Sequence, residues 1–182
     1  MPIQSLTSFL PILEPYLGIT AAAIYERQRA LVRLGLLPQP VGRGRGSGAT
    51  ANPRSAALLM ISVLLTDSLS EVDERVGKLF AQPIQTWRKR KRCALTRAER
   101  FGDAVVAILA NYELATQVTW VAVTRQSLDG YVHWRRKGAT HSEVSQFENR
   151  YFTTSSILVE ARLEGTAFRQ TAAVLAAEGR TT

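Results

Sequence analysis

The period of the hydrophobic pattern changes along this chain, and that change limits the folds open to it. Up to Tyr112 the apolar residues recur every three to four positions, and from Gln117 they alternate. The first spacing makes one face of a helix apolar, the second one face of a strand. Ala56, Leu59, Met60, Val63 and Leu64 form such a stripe within a helix expected over residues 54–66. Val72, Val76, Leu79 and Phe80 line the next helix, which Ser70 opens. Phe101, Val105, Ile108, Leu109 and Tyr112 line another, with Thr96 and Glu99 as its capping box. The segment QVTWVAVT at 117–124 is rich in β-branched residues and reads as a strand. Ser127-Leu128-Asp129-Gly130 is a hairpin turn in which Gly supplies a positive φ, and residues 131–135 return antiparallel. Trp120 and Trp134 then face each other as a cross-strand pair; a base-stacking platform is the sharper alternative. Residues 137–150 are polar and read as loop. A third strand covers 154–163, with Ile157, Val159 and Ala161 on one face. Gly165 turns the chain into a final helix with Phe168, Ala172 and Leu175 inward.

The fold class expected is therefore α+β. A helical domain spans 1–82 and a basic linker 83–96. An α+β domain at 97–182 holds a helix, a three-stranded antiparallel sheet and a closing helix. In the N-terminal part, residues 7–17 read as a short helix interrupted by Pro11 and Pro15, or as two helical turns. Thr20 caps a second helix running to about Leu34, and Gly35 stops it. Residues 41–53, VGRGRGSGATANP, have four glycines and no large apolar residue after Val41, so they form a flexible loop.

Charge is unevenly placed. The chain carries +8, and residues 1–66 and 83–100 hold +4 and +6 of it. Residues 101–182 have eight acids and eight bases and are neutral. Basic charge gathered in two segments favours a polyanionic partner, nucleic acid above others, over a merely solvated surface.

The stretch GITAAAIYERQRALVRLGLL at 18–37 resembles the second half of a winged helix-turn-helix DNA-binding domain. Its buried positions are Ile24, Gln28, Leu31, Leu34 and Gly35, followed by Leu36 and Leu37; Gln28 stands where an apolar residue is usual. The outward face then offers Ala21, Ala22, Tyr25, Arg29 and Arg33, with Arg27 near the edge, and Thr20 at the helix start is a further candidate DNA contact. The resemblance implies that this helix enters a major groove. Small alanines would let the backbone approach, Tyr25 and Arg29 would reach bases or phosphates, and the helix N-terminus favours a phosphate. The bland alternative is a solvated helix in a bundle. The loop Pro40-Val41-Gly42-Arg43-Gly44-Arg45-Gly46 resembles an AT-hook core, with Gly46 where Pro is usual. That implies Arg43 and Arg45 in an A·T minor groove, against the plainer reading of a flexible linker. Arg54 and the run Arg88, Lys89, Arg90, Lys91 and Arg92 complete the candidate DNA-binding set. The run would track the backbone without reading sequence; an exposed inter-domain loop is the equal alternative.

Several chemistries find no support. The Gly-rich loop lacks the lysine of a P-loop and the preceding strand of a dinucleotide site. His133, His141 and Cys93 show no metal-ligand spacing. Ser127, Asp129 and His133 sit on the hairpin, where Ser and Asp are turn formers, and are not read as a catalytic set. Cys93 reads as a structural or incidental thiol, and a single cysteine suits a reducing cytoplasm. Apolar runs fall short of a membrane span, and the first 18 residues make a poor signal peptide. No cofactor, metal, membrane or enzymatic role is expected. The expected function is a cytoplasmic, sequence-specific DNA-binding protein, a transcription regulator of bacterial or phage style. Its partner is double-stranded DNA, and it self-associates with a dimer favoured. An oligomeric DNA-packaging or recombination adaptor is one alternative. The other is a protein-binding inhibitor module without DNA binding.

Overall fold

A computed structural model of the chain describes residues 5–39, 49–67, 74–84, 91–148 and 159–178. Helix α1 (Leu6–Leu17) starts at Ser5, whose Oγ accepts from Ser8 N. Leu6, Phe9, Leu10, Leu13 and Leu17 form its buried stripe. The helix runs unbroken through Pro11 and Pro15, contrary to the expected interruption. Both prolines are on the exposed side, where water can take the carbonyls they leave without a donor. Gly18 ends α1 in the left-handed conformation, φ 67°. Thr20 then caps α2 (Ala21–Arg33), accepting from Ala23 N at 3.2 Å. Gly35, φ 71°, closes α2. Its N–H goes to Val32 O, and the Leu36 N–H goes back to Leu31 O, the paired bonds of a Schellman motif.

Helix α3 (Pro53–Leu65) has Asn52 and Ser55 as a reciprocal capping box and Pro53 in its first turn. A one-sided apolar stripe is expected, but α3 is buried almost all round, from Ser55 through Ser62 and again at Leu64 and Leu65. That is the signature of a central helix. It packs against α1, α2, α4 (Glu74–Phe80), α5 (Phe101–Ala110) and the closing helix α7 (Gly165–Glu178). It also meets the two adjacent strands at Val118–Thr124 and Glu160–Glu164. Among the described residues one cluster of buried side chains runs from Leu6 to Leu175 and includes Ile84 and Cys93. Backbone bonds also stitch that stretch: Ile84 N to Glu99 O, Phe101 N to Gln82 O and Glu148 N to Pro83 O.

The Thr96–Glu99 capping box does not form. Arg100 is the N-cap of α5 without a side-chain bond, Thr96 Oγ1 accepts from Ala98 N, and Glu99 pairs with Arg92. Asn111, with extended backbone, ends α5 and caps α6 (Tyr112–Gln117), so Tyr112 starts a new helix and is exposed.

Among the described residues the sheet has four antiparallel strands, not three, in the order β3-β2-β1-β4. They are β1 (Val118–Thr124), β2 (Asp129–Trp134), β3 (Glu143–Phe147) and β4 (Glu160–Glu164). Strand β3 lies where a polar loop is expected. Leu128, not Gly130, takes the positive φ of the β1–β2 turn, at 58°. Gly130 serves another purpose: a Cβ there would lie 2.4 Å from the Phe101 ring. A bulge between Val118 and Trp120 sets Trp120 opposite His133, and their rings stack at 3.3 Å. Trp134 is buried and pairs with Val118, so the two tryptophans do not meet. In the expected third strand, Val159 precedes β4 and is exposed, whereas Leu163 is buried. Ile157 lies outside the described residues. Phe168, Ala172 and Leu175 of α7 are buried as expected. The architecture is α+β, with the helices gathered mainly N-terminal to the sheet.

Candidate nucleic-acid interface

Helices α1 and α2 are joined by Gly18, Ile19 and Thr20, a three-residue turn with glycine at its start. This is the connection a helix-turn-helix uses. Ile24 and Leu31 are fully buried, as the spacing predicts, and Gln28 is buried beside them. Gln28 Nε2 donates to Thr7 Oγ1 at 3.3 Å, tying α2 back to α1 and giving this polar residue a place in the interior. Leu34, expected inward, is exposed beyond the end of α2.

The opposite face carries Ala22, Tyr25, Glu26, Arg29 and Arg33, all exposed. Tyr25 is 42% exposed, and the Arg29 side chain is 65% exposed. Arg29 holds Glu26 at 3.1 Å one turn back, an exposed i, i+3 pair that solvent screens strongly. At the helix start, Thr20 is exposed but commits its hydroxyl to the cap, and Ala21 is half-buried. Ala21 N donates to Glu14 Oε2 at 2.9 Å. A carboxylate from α1 therefore already occupies the helix N-terminus that is expected to favour a phosphate.

Arg27 does not lie on the open face expected of it. It is 5% exposed, not at an open edge. Its Nη1 donates to Ser62 O at 2.8 Å and its Nη2 to Thr66 O at 2.8 Å and Asp67 O at 3.4 Å. These acceptors lie at or just beyond the C-terminal end of α3, where helix carbonyls lack intrahelical donors and a cation is favoured. Burial pushes the Arg27 pKa below its usual value, and the nearby Asp67 partly offsets this. Arg27 is thus a fastening between α2 and α3 and cannot reach a duplex. The spacing carries the signal for this: residue 27 is three after Ile24 and four before Leu31, on the inner stripe.

Arg54 is exposed on the first turn of α3 and lies over the Phe80 ring at 4.8 Å. Lys91 and Arg92 are exposed, and Arg92 pairs with Glu99 at 3.0 Å. Arg43, Arg45, Arg88, Lys89 and Arg90 lie outside the described residues. Cys93 is buried, with Sγ 3.3 Å from Ser145 Oγ. Among the described residues no group of three His, Cys, Asp or Glu is placed to hold a metal ion, and no helix is long and apolar enough to cross a membrane.

Sequence reasoning did not anticipate the ion pair of Arg125, in the turn after β1, with Asp67, just past α3. The two are 58 positions apart, and no local spacing announces the pair. No protein-family model, curated protein or solved structure matches this chain.

Proposed function

We propose that this chain is a sequence-specific DNA-binding protein that acts as a transcription regulator and self-associates, most simply as a dimer. Helices α1 and α2 form its helix-turn-helix, and α2 enters the major groove. The observation that carries this reading is the division of α2. Ile24, Gln28 and Leu31 anchor one side, and the other leaves Ala22, Tyr25, Arg29 and Arg33 clear of the chain's own core. Arg29 and Arg33 are one turn apart, and both can reach a base edge or a phosphate. The Glu14 carboxylate disfavours a phosphate at the very start of α2, so the reading face is the middle of the helix. Contacts from Arg43 and Arg45 to an adjacent minor groove, and from Arg88, Lys89, Arg90, Lys91 and Arg92 to the backbone, belong to the same proposal.

The test is selection of bound fragments from a random duplex pool at physiological salt, followed by binding measurements on the enriched site. Enrichment of one site, lost in a Tyr25→Ala, Arg29→Ala double variant that keeps its circular dichroism, supports the reading. Retention of every sequence alike, or no retention, refutes it.

A further inference from the structure

Three arginines from three elements meet beyond the C-terminal end of α3. Arg27 comes from α2, Arg75 from α4 and Arg125 from the turn after β1. Arg125 is held in place from two sides. Its Nε donates to Leu64 O at 3.0 Å, and its own carbonyl accepts from Arg75 Nη2. Its two remaining nitrogens, Nη1 and Nη2, both point at one carboxylate, that of Asp67, with Nη2 to Oδ1 at 2.9 Å. The burial of the pair is lopsided: the Arg125 side chain is 19% exposed and that of Asp67 86%. The guanidinium fork is thus fixed in the wall, and the carboxylate it grips is a solvent-side group that can rotate away.

Asp67, Arg75 and Arg125 line an open cleft of about 350 Å³, and Arg27 is buried behind it. Val159, exposed, gives it an apolar wall. Gln126 accepts from Val159 N through Oε1 at 2.7 Å, which leaves Nε2 as the donor end of that amide. Among the described residues the Asp67 carboxylate is gripped by Arg125 alone, whereas Arg27 reaches the Asp67 backbone carbonyl and Arg75 the Arg125 carbonyl. A planar fork preset by its neighbours suits a bidentate oxyanion, and replacing one carboxylate by another leaves no buried charge unpaired.

We propose that this cleft binds a small molecule bearing a carboxylate or phosphate group on an apolar body, and that the Asp67 carboxylate occupies the oxyanion position in its absence. The oxyanion sits on the Arg125 fork, with Arg75 alongside, and the apolar body lies against Val159. The site does not depend on the DNA reading, because its occupancy is measured without DNA.

Inorganic phosphate and phenyl phosphate are titrated into the full-length protein by calorimetry at fixed ionic strength. Asp67→Asn removes the internal competitor and tightens both by about fivefold or more, on the scale of an exposed ion pair. Asp103→Asn removes the same charge from an exposed position on α5 and leaves both within about twofold. Phenyl phosphate binds more tightly than inorganic phosphate, and Arg125→Gln abolishes binding of both. Should Arg125→Gln fail to fold, the two aspartate variants decide the matter. Equal responses of Asp67→Asn and Asp103→Asn, or full binding by a folded Arg125→Gln, overturn the proposal. A duplex oligonucleotide titrated in parallel separates the two sources of phosphate. Tightening of the duplex by Asp67→Asn would give the fork to a nucleic-acid backbone and overturn the small-molecule assignment.

Discussion

Replacing Arg27 with Met keeps an unbranched side chain of similar reach and removes the guanidinium. Two carbonyls at the end of α3, Ser62 O and Thr66 O, then lose charged donors at 2.8 Å. Each buried carbonyl left without a partner costs about 1–3 kcal/mol. Against this stands the desolvation of the guanidinium, which the variant no longer bears. Its weight shows in the lowered Arg27 pKa, for which burial is the largest cause. The net expectation is a loss of about 2–4 kcal/mol. For a chain of this size that lowers Tm by about 5–15 °C. Urea and thermal unfolding followed by circular dichroism would read it. Arg27→Lys should fall between wild type and Met, because one ammonium cannot span carbonyls that the fork bridges. A Met variant within about 0.5 kcal/mol of wild type, the usual range of a surface substitution, would refute the reasoning.

Gly130→Ala places a methyl group 2.4 Å from the Phe101 ring and should destabilise by about 1–3 kcal/mol through overpacking, measured by thermal unfolding. Asp67→Asn should lower Tm at neutral pH. The hydrogen-bonded Arg125 holds the Asp67 carboxyl below its usual pKa, so its contribution is complete above the unfolded value of about 4. It is lost as pH falls through the lower folded value, and the two Tm curves, recorded against pH, should converge there. On a selected DNA site, Arg29→Ala and Arg33→Ala should each cost about 1–3 kcal/mol if they read bases, by fluorescence anisotropy. Arg43→Ala with Arg45→Ala should weaken A·T-flanked sites most, whereas uniform loss would make these arginines phosphate contacts.

Local chemistry made much of the fold legible. Thr20 and Gly35 bracket α2 because a cap oxygen and a left-handed glycine act within a few residues. The misses arise where distant partners decide. EVSQF forms β3 because His133, Val132 and Tyr131 of β2 pair with it, although its own polarity suggests loop. Thr96 and Glu99 make no capping box because the chain reaches Arg100 extended and Arg92 draws Glu99 away. Leu128 takes the left-handed turn position, and Gly130 instead sits in the strand where the Phe101 ring presses on it. The exposed side of α2 was legible for Tyr25, Arg29 and Arg33. Arg27 is the exception, because its charge points to the surface while the three- and four-residue steps to Ile24 and Leu31 place it inside.

The encirclement of α3 has a consequence for how the chain can be divided. Helices from the first half cover it on some sides, and α5, α7, β1 and β4 cover it on others. Cutting the polypeptide near residue 90 would bare a rod of leucine, isoleucine and methionine to water, leaving a fragment prone to clump. The half that carries α2 therefore owes its solubility and its shape to the half that carries the sheet.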